Sequence, residues 1–244
     1  MKNPHHSERN NRILKAIIED FTFKGKPVSS VSLAEIFDLS PASIRNAMQE
    51  LEQTEYITQP HLSAGRVPTD KGYRVYIDSL MEEEPLPEGE KDNIVQGYEQ
   101  SSELEQMMQN TTRLLSAFSH YVGVSLIPKR EKVYLEGFSN LLEQPEFNDI
   151  NLVRKIFRIY EEKTLLCEML TQHLEDEEIS ISIGYENPYQ EFYECSVVTA
   201  IYKIEDEPVG TIGVIGPKRM VYPHVISIVR FMADTIGKFL TKIY

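Results

Sequence analysis

The sequence predicts an α+β protein with two parts: an N-terminal winged helix-turn-helix domain and a C-terminal antiparallel sheet domain with flanking helices. Three observations predict this class. Residues 39–76 have the pattern of a short helix followed by a hairpin with hardly any acidic residue at its tip. Residues 82–90, EEEPLPEGE, form an acidic stretch with two prolines and a glycine, which is typical of a linker. Beyond it, stretches with helical periodicity flank strands joined by hairpin turns, a pattern typical of an antiparallel α+β domain.

Two helices, the second of them short, are predicted before the recognition helix. An apolar helical stripe runs from Ser7 to about Phe23, and residues 24–27, KGKP, end it. A second helix follows a cap at Ser30. Its side chains expected to face inward are Leu33, Ile36 and Phe37. In a helix-turn-helix domain, such a helix braces the recognition helix across the DNA backbone.

The third helix has the residue pattern of a recognition helix. Ser40 predicts its start because serine caps free N–H groups, and proline at Pro41 loses no hydrogen bond at the first helical position. The apolar residues at 3.6-residue spacing, expected to face a core, are Ile44, Ala47, Met48 and Leu51. The opposite face carries small and amide side chains and one arginine, which suit the major groove. The residues predicted to contact DNA there are Ser40, Ala42, Ser43, Arg45, Asn46 and Gln49.

Charge along this helix favours the same orientation. Acidic residues occur only from Glu50 onward, so the first turns can approach phosphates. The positive end of the helix dipole lies at the same terminus.

A hairpin follows the recognition helix, which is the layout of a winged helix. Residues 56–59 are predicted as one strand and residues 66–68 as the return strand, with a loop and Gly65 between them. No Asp or Glu occurs from residue 56 to residue 69. His61, Ser63 and Arg66 are therefore predicted to reach the flanking DNA backbone or the minor groove. A further helix is predicted from Thr69 or Asp70, with Tyr73 expected in the core.

The domain prediction is residues 1–81 for the winged helix, 82–90 for the linker, and 91–244 for a regulatory and dimerisation domain. The predicted elements of that last domain are a helical stretch at 91–119, strands at 121–128 and 133–137, a helix at 150–173, strands at 179–184, 193–203 and 209–215, and a final amphipathic helix at 222–243.

The charge of the chain is unevenly distributed. Its formal net charge is −13, which by itself argues against nucleic acid. Residues 1–80, however, contain 10 Lys or Arg and 10 Asp or Glu, so the remaining residues hold 15 basic and 28 acidic groups. The predicted DNA-binding domain is thus neutral. Base contacts and dimer symmetry would supply much of its discrimination, and non-specific binding would be modest and salt-sensitive.

No set of residues predicts an enzyme, a metal site or a cofactor. The glycines of residues 210–216, GTIGVIG, lack phosphate-loop spacing and are better interpreted as close backbone packing in a strand. The six histidines show no ligand-spaced set beyond the isolated terminal pair. Cys167 and Cys195 lie far apart in apolar surroundings and are expected to be buried thiols. No apolar run of membrane-spanning length and no signal peptide is present, which favours the cytoplasm.

The chain resembles the HrcA family of heat-inducible transcription repressors. The longest matching run is residues 63–74, SAGRVPTDKGYR, which is long and unusual in composition. Further matches are residues 39–42 (LSPA), 44–46 (IRN), 59–61 (QPH), 140–147 (NLLEQPEF), 184–187 (GYEN), 195–200 (CSVVTA) and 209–217 (VGTIGVIGP).

The resemblance implies a GAF-like second domain and a repressor of chaperone genes. It further implies a homodimer on an inverted-repeat operator in double-stranded DNA, released on heat stress, and help from the GroE chaperonin in maintaining the active fold. Between Pro128 and Gly137 most family members carry far more sequence, including an inserted dimerisation segment. This chain therefore resembles a compact variant with a truncated GAF-like domain.

Two other functions remain open from the residues. One is a small-molecule-responsive transcription regulator that uses the GAF-like domain as its sensor. The other is a protein-interaction module without sequence-selective DNA binding. The helical stretch 91–119 and the helix from Tyr222 are the candidate dimer surfaces.

Overall fold

The computed structural model of the protein describes residues 8–62, 64–99, 101, 103–161, 163–172, 178–205 and 207–243. The chain divides into two compact units, Met1–Glu82 and Glu83–Tyr244. Each unit has its own core.

The N-terminal unit is a helix-turn-helix with a two-stranded wing. Its elements are α1 (Glu8–Lys24), α2 (Ser30–Phe37), α3 (Pro41–Gln53), β1 (Ile57–Thr58), β2 (Val67–Pro68) and α4 (Asp70–Val75), which continues as a π-helical turn over Tyr76–Leu80. Side-chain caps start three of the helices, because each cap satisfies an N–H group that has no partner within the helix. These caps are Ser29 for α2, Ser40 for α3 and Thr69 for α4.

The core of this unit forms where α1, α2 and α3 meet. The buried residues of α3 are Ile44, Ala47, Met48 and Leu51, which confirms the predicted apolar face. The prediction for α2 was wrong at Ile36, whose side chain is 65% exposed. A helix of eight residues presents one narrow stripe to its neighbours, and Leu33 and Ala34 occupy that stripe. Phe37 is half-buried, with the Arg12 guanidinium 5.7 Å from its ring centroid.

The C-terminal unit is one antiparallel sheet between two layers of helices. Its elements are α5 (Glu88–Glu99), α6 (Leu104–Ser119), β3 (Val122–Ile127), β4 (Lys132–Glu136), α7 (Phe138–Leu142), α8 (Ile150–Glu161), α9 (Lys163–Gln172), β5 (Ile179–Ile183), β6 (Cys195–Ile204), β7 (Glu207–Pro217) and α10 (Tyr222–Ile243). The strand order is β4-β3-β7-β6-β5, and every neighbouring pair is antiparallel. This arrangement confirms the predicted α+β class.

The side-chain alternation of the strands shows which helices cover which face. Even-numbered residues of β3, such as Val124, belong to the apolar cluster that contains buried residues of α7, α8 and α9. Ser125 points to the other face, where its hydroxyl lies 2.7 Å from that of Thr112 on α6. On β6, Ser196 makes a similar 2.7 Å contact with the Tyr222 hydroxyl of α10. The sheet is therefore buried on both faces.

Two of the predicted helices are divided in the structure. The stretch predicted as one helix over 91–119 consists of α5 and α6, because the chain turns back so that the two helices pack on each other. Asn110 of α6 donates to the Gly97 carbonyl and to the Ser101 hydroxyl, which holds this turn. Helix α5 begins at Glu88, inside the predicted linker. The stretch predicted over 150–173 consists of α8 and α9, with residues 162 and 173 outside the described part.

The glycines of β7 lie where neighbouring atoms leave no room for a side chain. A Cβ on Gly210 would meet the Leu126 carbonyl oxygen at 2.3 Å, and one on Gly213 would meet the Val198 carbonyl oxygen at 2.4 Å. This confirms the interpretation of these glycines as close packing rather than a phosphate loop. Neither cysteine forms a disulfide, and Cys195 is buried, whereas Cys167 is only half-buried. Burial raises the pKa of the Cys195 thiol to about 12.

Candidate nucleic-acid interface

The start of α3 is built from Ser40, Pro41 and Ser43. The Ser43 amide donates to the Ser40 hydroxyl oxygen at 3.1 Å, and the two hydroxyl oxygens lie 2.9 Å apart. Pro41 stands in the first turn, which contains no acidic residue. Exposed N–H groups and the positive end of the helix dipole therefore face solvent at an uncharged surface, which suits a phosphate.

The solvent face of α3 carries the predicted reading residues. Those that are exposed are Ser40, Ala42, Arg45, Asn46 and Gln49, and Ser43 is half-buried. This face follows from the burial of the apolar stripe, because residues on the opposite side of an amphipathic helix must point to solvent. Small side chains at its start allow close approach, and the amides and guanidinium farther along can bond base edges.

The acidic residues of α3 are engaged by neighbouring elements. The Asn10 amide of α1 donates to the Glu50 carboxylate at 2.7 Å. Arg66 of the wing donates to Glu52 from Nε at 3.1 Å and from Nη2 at 2.9 Å. Both carboxylates belong to the C-terminal half of the helix, away from the capped end. The sequence pattern did not identify these pairings, since the partners are 40 and 14 residues apart.

The wing is short and is held by contacts beyond its own ladder. Among the residues of the wing that the structure describes, Ile57↔Pro68 and Thr58↔Val67 are the only pairs of its ladder, so each strand is shorter than predicted. The Gln59 amide donates to the Leu62 and Ala64 carbonyls at 3.1 and 2.9 Å, which shapes the loop. Leu62 at the tip is fully exposed.

Arg66 joins the wing to the first part of the unit. Its backbone exchanges two hydrogen bonds with Val28, of 2.9 and 2.8 Å. A Cβ on the preceding Gly65 would meet the Val28 carbonyl oxygen at 2.3 Å, so only glycine allows this approach. The Arg66 side chain is 15% exposed and is directed at Glu52.

The predicted wing residues therefore differ in position. His61 is exposed, Ser63 lies outside the described residues, and Arg66 is held against the recognition helix instead of projecting into solvent. The core position predicted for Tyr73 is confirmed, since its side chain is 2% exposed. The start of helix α4 is joined to the wing, because the amide of its cap residue, Thr69, donates to the Tyr56 carbonyl at 3.1 Å.

Two other features, a metal site and a membrane-spanning helix, are not found in the described part of the chain. Across its residues, no three His, Cys, Asp or Glu side chains are grouped so that they could hold a metal ion. None of the helices described there combines the length and apolar character needed to cross a bilayer.

A capped recognition helix with an exposed reading face, followed by a wing, defines the protein as a winged helix-turn-helix regulator with an α+β second domain. Two family models match it. The model "Winged helix-turn-helix transcription repressor, HrcA DNA-binding" matches residues 6–81, and the model "HrcA protein C terminal domain" matches residues 126–226. The chain belongs to the HrcA family, which is a family of DNA-binding transcription repressors and not of enzymes.

Curated relatives are similar over nearly their whole length. A heat-inducible transcription repressor HrcA from Geobacter sulfurreducens is 30% identical, over 96% of this chain and 98% of the relative. One from Desulfitobacterium hafniense is 29% identical, over 96% and 97%. That second alignment spans 338 positions, whereas this chain has 244 residues, so the relative carries segments with no counterpart here.

A solved structure has the same fold. It is titled "Crystal structure of a hypothetical protein at 2.2 A resolution", and it superposes with a TM-score of 0.78 over 98% of this chain and 99% of that one. The two sequences are 17% identical, so this likeness concerns the fold alone.

Proposed function

We propose that this protein is a heat-inducible repressor that binds an inverted-repeat operator as a homodimer, blocks transcription of chaperone genes and releases DNA on heat stress. The observation that carries the proposal is the exposed first half of α3, which is capped and free of acidic residues, in a unit whose wing also has no acidic residue from residue 56 to residue 69. Family membership supports the regulatory role.

The first residues of the exposed face of α3 position the helix on the DNA backbone, and the later residues give sequence specificity. Ser40, Ala42 and Ser43 lie at the positive end of the helix, where small side chains bring backbone N–H groups close to a phosphate. Arg45, Asn46 and Gln49 follow along the groove, where they form hydrogen bonds to base edges.

The wing residues contact the flanking DNA. His61 and Ser63 reach the backbone or the minor groove beside the recognition helix. Arg66 acts through Glu52: it sets the angle of the wing to α3 instead of contacting DNA itself. This role replaces the direct contact predicted from the sequence.

Two further parts of the proposal rest on the family alone. The GroE chaperonin helps to maintain the active fold of the repressor. The protein acts in the cytoplasm, where its operators are.

A second candidate function has one observation in its favour. A cleft of about 800 Å³ opens beside the β3–β4 turn and α9, and its lining includes Thr164, Cys167, Glu168 and Thr171. A small molecule bound there would make the protein a ligand-responsive regulator. The carboxylate of Glu168, which accepts a 3.1 Å bond from Tyr189, would favour a ligand with a polar or cationic group.

Selection of bound DNA from a random pool separates these functions. The full-length protein is incubated with random duplexes at growth temperature, and the selection is repeated after heating. An inverted-repeat winner with heat-sensitive binding supports the heat-inducible repressor. A winner whose retention instead requires an added metabolite supports the ligand-responsive regulator. Recovery of no enriched sequence at any salt concentration overturns both and leaves the protein-interaction module.

A further inference from the structure

Strand β4 is one outer edge of the five-stranded sheet. Among the described strands it pairs with β3 alone, from Ile127↔Lys132 to Gly123↔Glu136. In an antiparallel ladder, alternate residues of an edge strand direct their N–H and C=O groups away from the neighbouring strand. The unpaired edge of a sheet is a template for another strand.

The residues of β4 are symmetric about Tyr134. The strand reads Lys-Val-Tyr-Leu-Glu, with a cation at one end, an anion at the other and an apolar residue on each side of the central tyrosine. If a second β4 pairs antiparallel about a two-fold axis through Tyr134, Lys132 faces Glu136 of the other copy, and Val133 faces Leu135. Every charged position then meets its opposite, and every apolar position meets an apolar one.

The surroundings of β4 hold its first residue, Lys132, in place. Glu105 of α6 forms ion pairs with both Lys132 and Arg130, which fixes the start of the strand. The Lys132 ammonium lies 5.3 Å from the Tyr134 ring centroid. Glu136 at the other end is exposed.

Apolar side chains lie next to the β4 edge on one face of the sheet. Phe138, two residues after the end of β4, lines a small apolar cavity together with Leu135. Its ring lies 5.3 Å from that of Phe157 on α8, and Phe157 is 37% exposed. A second copy at the β4 edge would cover part of this apolar surface, which adds a hydrophobic contribution to the strand pairing.

We propose that the β4 edge is the dimer interface, where two copies of this chain join their sheets into one of ten strands. The proposal rests on the proposed function in one respect, namely that an inverted-repeat operator needs two readers related by a two-fold axis. An isologous contact supplies that axis, because each copy contributes the same strand. It also assigns the interface to a strand, whereas the sequence favoured α5, α6 or α10.

Reversal of one charge tests the pairing. In Glu136→Lys, Lys132 of each copy faces a lysine, so we expect the dimer dissociation constant to rise by at least about tenfold. Lys132→Glu weakens its own dimer in the same way. An equimolar mixture of the two variants restores both opposite-charge pairs, and a mixed dimer forms. Sedimentation velocity measures all three cases without DNA, and thermal melts verify that each variant is folded.

The matched control lies on the opposite sheet edge, β5. Ser182→Lys introduces a charge on a strand of equal length there. It leaves the dimer intact if β4 is the interface. Loss of the dimer in this variant, with no change in Glu136→Lys, overturns the proposal.

A disulfide probe tests the position of the axis independently of charge. Residues directly opposite in an antiparallel pair have Cα atoms about 4.5–5.5 Å apart, within disulfide range. Tyr134→Cys should therefore form a covalent dimer on mild oxidation. Glu136→Cys is the control, since its two copies would lie roughly 13 Å apart along the strands. The wild type gives the background from its two native cysteines.

The outcomes separate this inference from the proposed function. A wild type that stays monomeric at every concentration, or a Tyr134→Cys variant that does not cross-link, overturns the β4 interface. Operator selection by the same wild-type preparation is scored separately, so DNA binding can succeed where the interface fails.

Discussion

Replacement of Arg45 by alanine tests the recognition helix most directly. The Arg45 side chain is exposed on α3, so we expect its loss to change the free energy of unfolding by no more than about 0.5 kcal/mol. If it bonds a base edge, its loss costs about 1–3 kcal/mol per half-site. That range corresponds to a dissociation constant about 5- to 150-fold higher on a single half-site. Two copies on an inverted repeat would double the loss in free energy.

A mobility-shift titration of the selected operator and of a half-site duplex measures this effect. The salt dependence of binding identifies the kind of contact, since loss of a phosphate contact lowers the salt slope by about one per copy and loss of a base contact does not. Gln53→Ala, at the exposed C-terminal end of the same helix, is the control and should bind as the wild type does. If Arg45→Ala binds the operator as tightly as the wild type, Arg45 is not a reading residue.

Three other experiments test the contacts that support the site and the sheet. Arg66→Ala and Glu52→Ala should each weaken operator binding. Because the two residues share one partly exposed ion pair, their effects on the free energy of unfolding by urea should be non-additive by about 0.5–1.5 kcal/mol. Additive effects would show that the ion pair does not couple the wing to α3. Ser40→Ala removes the cap of α3 and should cost about 1 kcal/mol in a thermal melt, and an unchanged melt would contradict the cap. Gly123→Ala places a Cβ 2.2 Å from the Thr112 carbonyl oxygen and should destabilise the C-terminal unit by about 1–3 kcal/mol. Gly89→Ala is the control: its added Cβ would have no neighbouring atom within 4 Å, so this variant should melt as the wild type does.

The recognition helix shows what local patterns can predict. Its cap at Ser40, its start at Pro41 and its buried stripe all follow from interactions within three or four residues, so the sequence was sufficient for each. The antiparallel strands and the final helix were predictable for the same reason. Ile36 was not, because the buried stripe of so short a helix depends on where its neighbours pack.

The positions where helices divide depended on tertiary packing. The pattern over 91–119 is apolar on one side throughout, so it predicted one helix. In the structure the chain turns back near Ser101, and Asn110 bonds across the turn to Gly97. A periodic pattern predicts which face of a helix is buried, but it does not predict whether the chain continues as one helix or turns back as two.

By itself, the sequence determined the class of protein, the exposed face of α3 and the neutral charge of the N-terminal part, because capping, periodicity and composition are local properties. Only the tertiary structure shows that the side chain of Arg66, which was predicted to contact DNA, lies against Glu52. Folding brings Glu52 within 3 Å of it, and an arginine beside a carboxylate on the recognition helix gains a charge-assisted hydrogen bond. The edge position of β4 was likewise decided by strand order, which depends on pairing between distant residues and not on the pattern of any one strand.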